Sequence, residues 1–349
     1  MDFLKIVFPT VLTFFIGLSI TPVFTRYFYR YKMWKKHPRT SSGDITSDHF
    51  AKHHNAEQEL STPRIGGVIV WVAVLFSVIV IYFLSTVYPG VITEKMNFFS
   101  RSQTLVPLGV FFLAALIGLA DDMLHIMGQG SYGRDSIGYR KIKIIFVTLM
   151  ALAIGFWFYY KLDFVSISVP FDGDLYLGIL FIPFFVFVML ATFSTSVIDG
   201  FDGLAGGVLA SAFTSFAVIA FIGNQIDIAA LSGAIAGGIL AFLWFNVPPA
   251  RFYMGETGML ALTIVLAVIA FLTDSVLLLP VIAFPLAVTG ASSFIQIYYY
   301  KLFKKRVFKV APLHHHFEAL GWSREKIVMR YWIVSVICAI TGVILFLVS

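Results

Sequence analysis

The chain has 349 residues, of which 59% are hydrophobic and 13% charged, with a mean hydropathy of +0.88 and a net charge of +6. Soluble domains are about half apolar and a quarter charged, so this composition excludes a water-soluble globule, and it excludes a disordered chain. In a membrane protein a positive net charge reflects loop charges, so we expect no nucleic-acid partner. The single cysteine, Cys338, excludes a disulfide framework and a cysteine-based metal site.

Long apolar runs, separated by charged residues or by Gly and Pro, predict about ten transmembrane helices, because about 20 apolar residues cross a bilayer. The predicted fold class is an all-α polytopic membrane protein with one integral membrane domain, residues 1–349. Pro280 and Pro285 are expected to kink the ninth span. The predicted spans are 3–25, 65–87, 104–120, 143–160, 176–197, 204–222, 227–245, 257–273, 275–298 and 331–348.

Lysine and arginine are unevenly distributed between the two sides of this layout. Of the 25 residues of these types, 21 lie in or beside alternate connections, and only Lys5, Lys95, Arg101 and Lys161 lie on the other side. Cytoplasmic connections carry the excess of positive charge. We therefore predict that both termini are extracytoplasmic and that the cytoplasmic connections lie near 26–64, 121–142, 198–203, 246–256 and 299–330.

Five carboxylates lie at the predicted cytoplasmic ends of spans: Asp121, Asp122, Asp199, Asp202 and Glu256. Carboxylates beside hydrocarbon are costly and usually face the bundle interior or a watery cavity, and a cluster of them needs a cation or protons. Each one alone could equally be a helix-end charge at the water boundary. Together they predict one site for a hard divalent cation, which prefers oxygen ligands.

Three adjacent histidines, His314, His315 and His316, follow on the same predicted side. They are compatible with a polar loop or with a metal-binding tract, although consecutive residues rarely converge on one zinc ion. Beside carboxylates they suit contacts to phosphate oxygens or proton transfer. The basic run 301–309 is typical of a positive-inside anchor and could also attract an anionic headgroup or nucleotide. These residue types favour metal-assisted phosphoryl chemistry.

Five motifs, in this order along the chain, resemble those of the phospho-N-acetylmuramoyl-pentapeptide transferases. This family lies within the polyprenyl-phosphate N-acetylhexosamine-1-phosphate transferase superfamily, and its triple histidine distinguishes it from related sugar-phosphate transferases. The ten-span layout also agrees with the family. The motifs occupy residues 62–67, 118–122, 199–205, 246–258 and 311–318, the last followed by Gly321-Trp322 and by 330–333.

The resemblance implies that undecaprenyl phosphate attacks the sugar-linked phosphorus of UDP-N-acetylmuramoyl-pentapeptide. The products would be the first lipid-linked peptidoglycan intermediate and UMP, with Mg²⁺ as cofactor. It implies the inner (cytoplasmic) membrane of a bacterium, with the site facing the cytoplasm, and leaves a homodimer open. The implied catalytic residues are Asp121, Asp122, Asp199 and His315, the implied metal ligands are Asp199 and Glu256, and the implied substrate contacts are Lys143, Asp202, Asn246, His314 and His316.

The chain departs from the family pattern at four places. Glu256 stands where the family usually has Asp, and the extra methylene changes how the carboxylate reaches a metal. Two asparagines of the family are absent from 193–196, and Glu59 replaces a lysine ahead of the Thr-Pro motif. The family lysine that follows the acidic pair is matched only loosely, by Lys143. Most of these departures concern nucleotide contacts.

Two other functions remain open from the sequence. A transporter or lipid flippase would also carry carboxylates within its spans, but it would place them near the bilayer midplane, whereas these lie at span ends. A related enzyme of the same superfamily would use another UDP-sugar, and UMP release with alternative UDP-sugars would separate the two activities.

Overall fold

The structure is a computed structural model that describes residues 2–34, 61–100, 103–128 and 136–349. Nearly all of its secondary structure is helical, with one two-stranded antiparallel sheet between the fifth and sixth helices. The elements are α1 (Asp2–Arg30), α2 (Gly67–Val87), α3 (Val91–Met96), α4 (Leu105–Ile126), α5 (Ser136–Lys161), β1 (Ser166–Val169), β2 (Gly173–Tyr176), α6 (Phe181–Ser194), α7 (Leu204–Ile222), α8 (Ile226–Asn246), α9 (Gly255–Leu272), α10 (Leu279–Ile282), α11 (Phe284–Phe303), α12 (Leu313–Ala319) and α13 (Arg324–Val348).

Within the described ranges, nine helices are long and apolar enough to cross a membrane, and a bent pair can form a tenth span. The pair consists of Val276–Ile282 and α11, which meet at 88°. Pro280 and Pro285 lie in the first turns of α10 and α11, where proline costs no helical hydrogen bond. The prolines therefore begin two helices on either side of Ala283, a sharper break than the expected kink. The predicted all-α fold with about ten spans is confirmed.

The helices α7, α8 and α9 form the core of the bundle. Between 72% and 94% of each of their span windows is buried, against 17% for α1 and 22% for α13. Glycines permit close approaches around this core: a Cβ on Gly237 of α8 would collide with the Thr10 carbonyl of α1. The outer helices expose apolar side chains, as expected of surfaces that face lipid.

Two predicted connections prove to be partly helical. The helix α4 continues to Ile126 and α5 begins at Ser136, so the predicted loop 121–142 is helical at both of its ends. Likewise, α11, α12 and α13 occupy much of 299–330. The sequence rule ended spans at the first charged residues, but Asp121 and Asp122 of α4 and Lys143 of α5 have polar partners inside the bundle, so these two helices continue. The connection 26–64 lies largely outside the described residues, as does Glu59.

The β1–β2 hairpin was not predicted. Its register pairs Ser166 with Tyr176 and Val169 with Gly173, so residues 170–172 form the turn, and Asp172 is followed by Gly173 with a φ of 77°. An Asp-Gly turn between short alternating segments is a hairpin signal, which the neighbouring apolar runs obscure. The hairpin follows the end of α5 at Lys161, and it therefore marks the end of the bundle opposite to Lys143.

Candidate active site

Lys143 joins two of the predicted carboxylates. Its Nζ lies 3.1 Å from Asp121 Oδ2 and 2.8 Å from Glu256 Oε1. The three residues come from α4, α5 and α9, and their side chains are only 11%, 12% and 24% exposed for Asp121, Lys143 and Glu256. The acidic residues therefore converge from separate helices on one shared ammonium group.

Asp122 points to a different partner from its neighbour Asp121. Its Oδ1 accepts the backbone N–H of Glu256 at 3.1 Å, and its Oδ2 accepts that of Thr257 at 2.8 Å. These donors are in the first turn of α9, where backbone N–H groups lack helical acceptors. Asp122, which is 2% exposed, therefore caps α9 from outside that helix. Asp122 thus positions the first turn of α9, and the catalytic role expected from the sequence stays a prediction.

The connection 199–203 is held against the connection that precedes α9. Asp199 Oδ2 accepts the N–H of Gly255 at 3.2 Å, which places this carboxylate next to the Glu256 turn. Asp202 Oδ2 accepts the N–H of Ala250 at 3.0 Å, and burial raises the pKa of Asp202. Asp202 therefore links the connection 199–203 to the connection that precedes α9, and its expected substrate contact stays a prediction.

Asn246 is 3% exposed and uses both ends of its amide within the protein. Its Oδ1 accepts the N–H of Gly203 at 2.9 Å, and its Nδ2 donates to the carbonyl of Phe252 at 2.8 Å. A buried amide that is satisfied by two backbone groups specifies their separation. Asn246 therefore fixes the separation of the two connections, and its role in lining the site stays a prediction.

His314 and His315 lie against the connection 199–203. A Cβ on Gly200 would collide with Nε2 of His314, which is fully buried. The ring of Phe201 lies 5.0 Å from each of the two imidazole rings. The histidine tract therefore touches the segment that carries Asp199, and it shares one end of the bundle with the carboxylates.

His315 is oriented by an acidic partner that the sequence did not indicate. Its Nδ1 lies 3.0 Å from Glu318 Oε2, and Arg324 Nε donates to Glu318 Oε1 at 2.7 Å. Burial alone would raise the pKa of Glu318, but the bonds from His315 and Arg324 outweigh it and hold that pKa below its usual value. The carboxylate of Glu318 accepts a hydrogen bond from Nδ1–H of His315 and so fixes the orientation of the imidazole ring.

His316 points to the basic segment instead. Its Nδ1 accepts the backbone N–H of Lys309 at 3.1 Å, and its ring packs 5.5 Å from that of Phe308. Burial and the charge of Lys309 lower the pKa of His316. The three histidines thus have different surroundings, and His316 is engaged with 308–309 through its Nδ1.

The motif at 62–67 supports the Glu256 turn through its backbone. The N–H of Tyr253 donates to the Pro63 carbonyl at 2.8 Å, and the N–H of Gly66 donates back to Tyr253 at 2.9 Å. This pairing brings the Arg64 carbonyl so close to Gly255 that a Cβ there would collide with it. Gly255 also has a φ of +70°, which glycine adopts without strain.

Further residues at this end of the bundle were not singled out by the sequence. His125 Nδ1 lies 3.9 Å from Asp121 Oδ2, one helical turn further on. The i,i+4 spacing after the acidic pair would have indicated it, once the helix was known to continue. Burial raises the pKa of Tyr253 to about 12, so its hydroxyl stays protonated. The others are Arg64, Glu318 and Arg324, which no spacing rule connects to the carboxylates.

A metal ion was expected here on the basis of the carboxylates. Within the part of the chain that the structure describes, no group of three or more His, Cys, Asp or Glu residues is arranged to hold one. Glu256 Oε2, however, is buried and accepts no hydrogen bond from any described residue. The oxygen donors Glu256 and Asp199 lie on adjoining segments, because Asp199 binds the N–H of Gly255.

The position of the acidic residues bears on the transporter alternative. Asp121 lies in the last turns of α4, Lys143 near the beginning of α5, and Glu256 is the second residue of α9. The charges are therefore at helix ends rather than midway along the spans, where a transporter would bind its ions.

Residues 104–274 match the family described as Glycosyl transferase family 4. The chain is 34% identical over 336 residues to a phospho-N-acetylmuramoyl-pentapeptide-transferase from Caldanaerobacter subterraneus subsp. tengcongensis, covering 95% of this chain and 96% of the relative. It is 31% identical to a protein of the same name from Anoxybacillus flavithermus, with 97% of each covered, and 35% identical to one from Borrelia recurrentis, with 83% and 82% covered. Since identities above 30% extend over nearly the whole chain, it belongs to the phospho-N-acetylmuramoyl-pentapeptide-transferase family.

Proposed function

We propose that the protein transfers phospho-N-acetylmuramoyl-pentapeptide from UDP to undecaprenyl phosphate and releases UMP. Family membership supports this activity. The observation that carries it is the convergence of Asp121, Lys143 and Glu256 at one end of the bundle. The adjoining connection 199–203 contacts His315 through the ring of Phe201. Carboxylates, an ammonium group and an oriented imidazole are the groups that a transfer between phosphates requires.

In the proposed reaction, an oxygen of the lipid phosphate forms a bond to the sugar-linked phosphorus. The bond from that phosphorus to the bridging oxygen breaks, and UMP leaves with the electron pair. Asp121 would take the remaining proton of the lipid phosphate, while Lys143 would neutralise phosphate oxygens. His315, whose Nδ1–H donates to Glu318, would in its protonated form also donate from Nε2 to an oxygen of the donor substrate.

Magnesium is proposed as the cofactor, and the residues present fit it. Mg²⁺ commonly binds through one or two carboxylates and completes its shell with waters and substrate phosphates, so three protein ligands are not required. Glu256, with its buried and unsatisfied Oε2, and Asp199 would hold the ion. When bound, it would neutralise the diphosphate and stabilise the leaving UMP.

We also propose that the site faces the cytoplasm, within the inner membrane of a bacterium. The concentration of 21 of 25 lysines and arginines on this side of the predicted layout supports that orientation. The position at helix ends suits a reaction between a soluble nucleotide and a lipid phosphate, because the two substrates share only the membrane boundary.

The test is UMP release by the purified full-length protein with UDP-N-acetylmuramoyl-pentapeptide, undecaprenyl phosphate and Mg²⁺. We expect release that requires all three. Asp174→Asn is the matched control for Asp121→Asn, because Asp174 is exposed in β2 at the opposite end of the bundle. Release with UDP-N-acetylglucosamine but not with the pentapeptide donor would assign the chain to another reaction of the superfamily. Release without lipid phosphate or without metal would contradict the mechanism.

A further inference from the structure

The ammonium group of Lys143 lies between two carboxylates of the candidate site. It contacts Glu256 Oε1 at 2.8 Å and Asp121 Oδ2 at 3.1 Å, and its side chain is only 12% exposed. Lysine is a compact charge on a flexible stem, which can move without disturbing the backbone. Of these two carboxylates, Glu256 is also a proposed ligand of the divalent cation, which prefers oxygen donors.

We propose that Lys143, held between Asp121 and Glu256, competes with the divalent cation for Glu256. In the metal-free protein its ammonium group holds the two carboxylates together, and metal binding displaces it towards the phosphates of the substrate. This inference rests on the metal dependence in the proposed function. It makes Lys143 a positioning residue that couples metal binding to substrate binding, in addition to any contact with substrate.

The charge balance around Lys143 supports competition. Two carboxylates and one ammonium group leave one net negative charge at the contact, and removal of the ammonium group leaves two. Charges buried away from water interact strongly, so the doubled negative charge attracts a dication more tightly.

The unsatisfied carboxylate oxygen of Glu256 also supports competition between Lys143 and the cation. Lys143 satisfies Oε1, whereas Oε2 is buried without a hydrogen bond from any described residue. An acceptor left in this state is costly unless a cation or water reaches it. The contact with Lys143 is therefore an incomplete substitute for a ligand that can reach both oxygens.

The experiment measures Mn²⁺ binding by electron paramagnetic resonance, with full-length protein in detergent and no substrate present. We expect Lys143→Gln to bind Mn²⁺ at least about fivefold more tightly than the unaltered protein, the effect of one unit charge at short range. Lys143→Arg should stay within about twofold, because the charge is retained. Lys141→Gln is the matched control, since Lys141 lies on the same helix and is exposed. Unchanged or weaker binding by Lys143→Gln would overturn the inference.

A negative result could also arise because the variant is unfolded or because the proposed function is wrong. Thermal unfolding and UMP release distinguish these two cases from a failure of the inference itself. Thermal unfolding without metal shows whether Lys143→Gln is folded, and Lys143→Met, which keeps most of the apolar stem, replaces it if it is not. If the unaltered protein binds Mn²⁺ and releases UMP while neither neutral variant binds more tightly, only the role of Lys143 is wrong. If the unaltered protein binds no Mn²⁺, this inference and the metal dependence both fail.

Discussion

Asp122 binds the backbone N–H of Glu256 at 3.1 Å, so one member of the acidic pair fixes the residue whose side chain shares Lys143 with the other member. Adjacent residues on a helix point about 100° apart, which lets Asp121 face α5 while Asp122 faces the beginning of α9. Asp121 therefore contributes a charge to the site, whereas Asp122 holds the backbone of the Glu256 turn in place. This division leads to different expectations for substitutions at the two positions.

Asp122→Ala is expected to destabilise the protein. The substitution removes both acceptors for the first turn of α9, and loss of a helix cap costs about 1–2 kcal/mol. Thermal unfolding in detergent measures the effect. Asp122→Asn retains one carbonyl oxygen and should lose less stability. An Asp122→Ala protein with unaltered thermal stability would show that the cap contributes nothing.

Asp121→Asn and Glu256→Gln are expected to abolish turnover while leaving the protein folded. Each substitution keeps the side-chain volume but removes a charge that Lys143 contacts. We expect UMP release to fall at least about a hundredfold, the size of losing a charge-stabilising group in an active site. Circular dichroism checks the fold of each variant. Near-normal rates in both would remove these carboxylates from the mechanism.

Much of the architecture could be predicted from the sequence, because bilayer thickness sets the length of apolar runs. The convergence of Asp121, Asp199 and Glu256 could also be predicted, because charged side chains near lipid are costly and therefore gather in the bundle interior. The supports of the site could not be predicted in this way. Asp122, Asp202 and Asn246 bind backbone groups of distant segments, and no local pattern reveals which carboxylate binds backbone and which faces the site.

The histidine tract shows the same limit. Its sequence indicated chemistry at phosphates, but not that His315 pairs with Glu318 while His316 faces Lys309. Successive residues on the short helix α12 point in different directions, so the three consecutive histidines have three different environments. The span ends were misplaced for a related reason, since charged residues with partners in the bundle do not end a helix.

Gly200→Ala is expected to reduce activity by displacing His314. The new Cβ would collide with Nε2 of that buried ring, so either the ring or the connection 199–203 must move. Overpacking of this kind costs about 1–3 kcal/mol, which thermal unfolding would detect together with a lower rate of UMP release. Gly109→Ala is the matched control, because no atom lies within 4 Å of its added Cβ. Equal behaviour of the two variants would show that the His314 contact is not restrictive.

His315→Ala is expected to lower the rate of UMP release at least tenfold, which is the lower range for losing a proton-transfer or charge-stabilising group. Glu318→Gln should lower it less, because glutamine still offers a carbonyl oxygen to Nδ1 but no charge. Single-turnover rates at saturating substrate distinguish this loss from weaker binding. An unchanged rate in His315→Ala would return the tract to a structural role.

Glu318 should also make the stability of the protein depend on pH in the acidic range. Its pKa in the folded protein is held below the usual 4.5, so the carboxylate form is favoured by folding. That contribution is fully present above about pH 4.5 and disappears as the pH falls through the lowered pKa, when the bonds to His315 and Arg324 lose their charged acceptor. Thermal unfolding of the unaltered protein and of Glu318→Gln, measured from pH 7 downwards, should therefore give a constant difference above pH 4.5 that shrinks below it. A difference that stays constant throughout this range would mean that the charge of Glu318 does not stabilise the folded state.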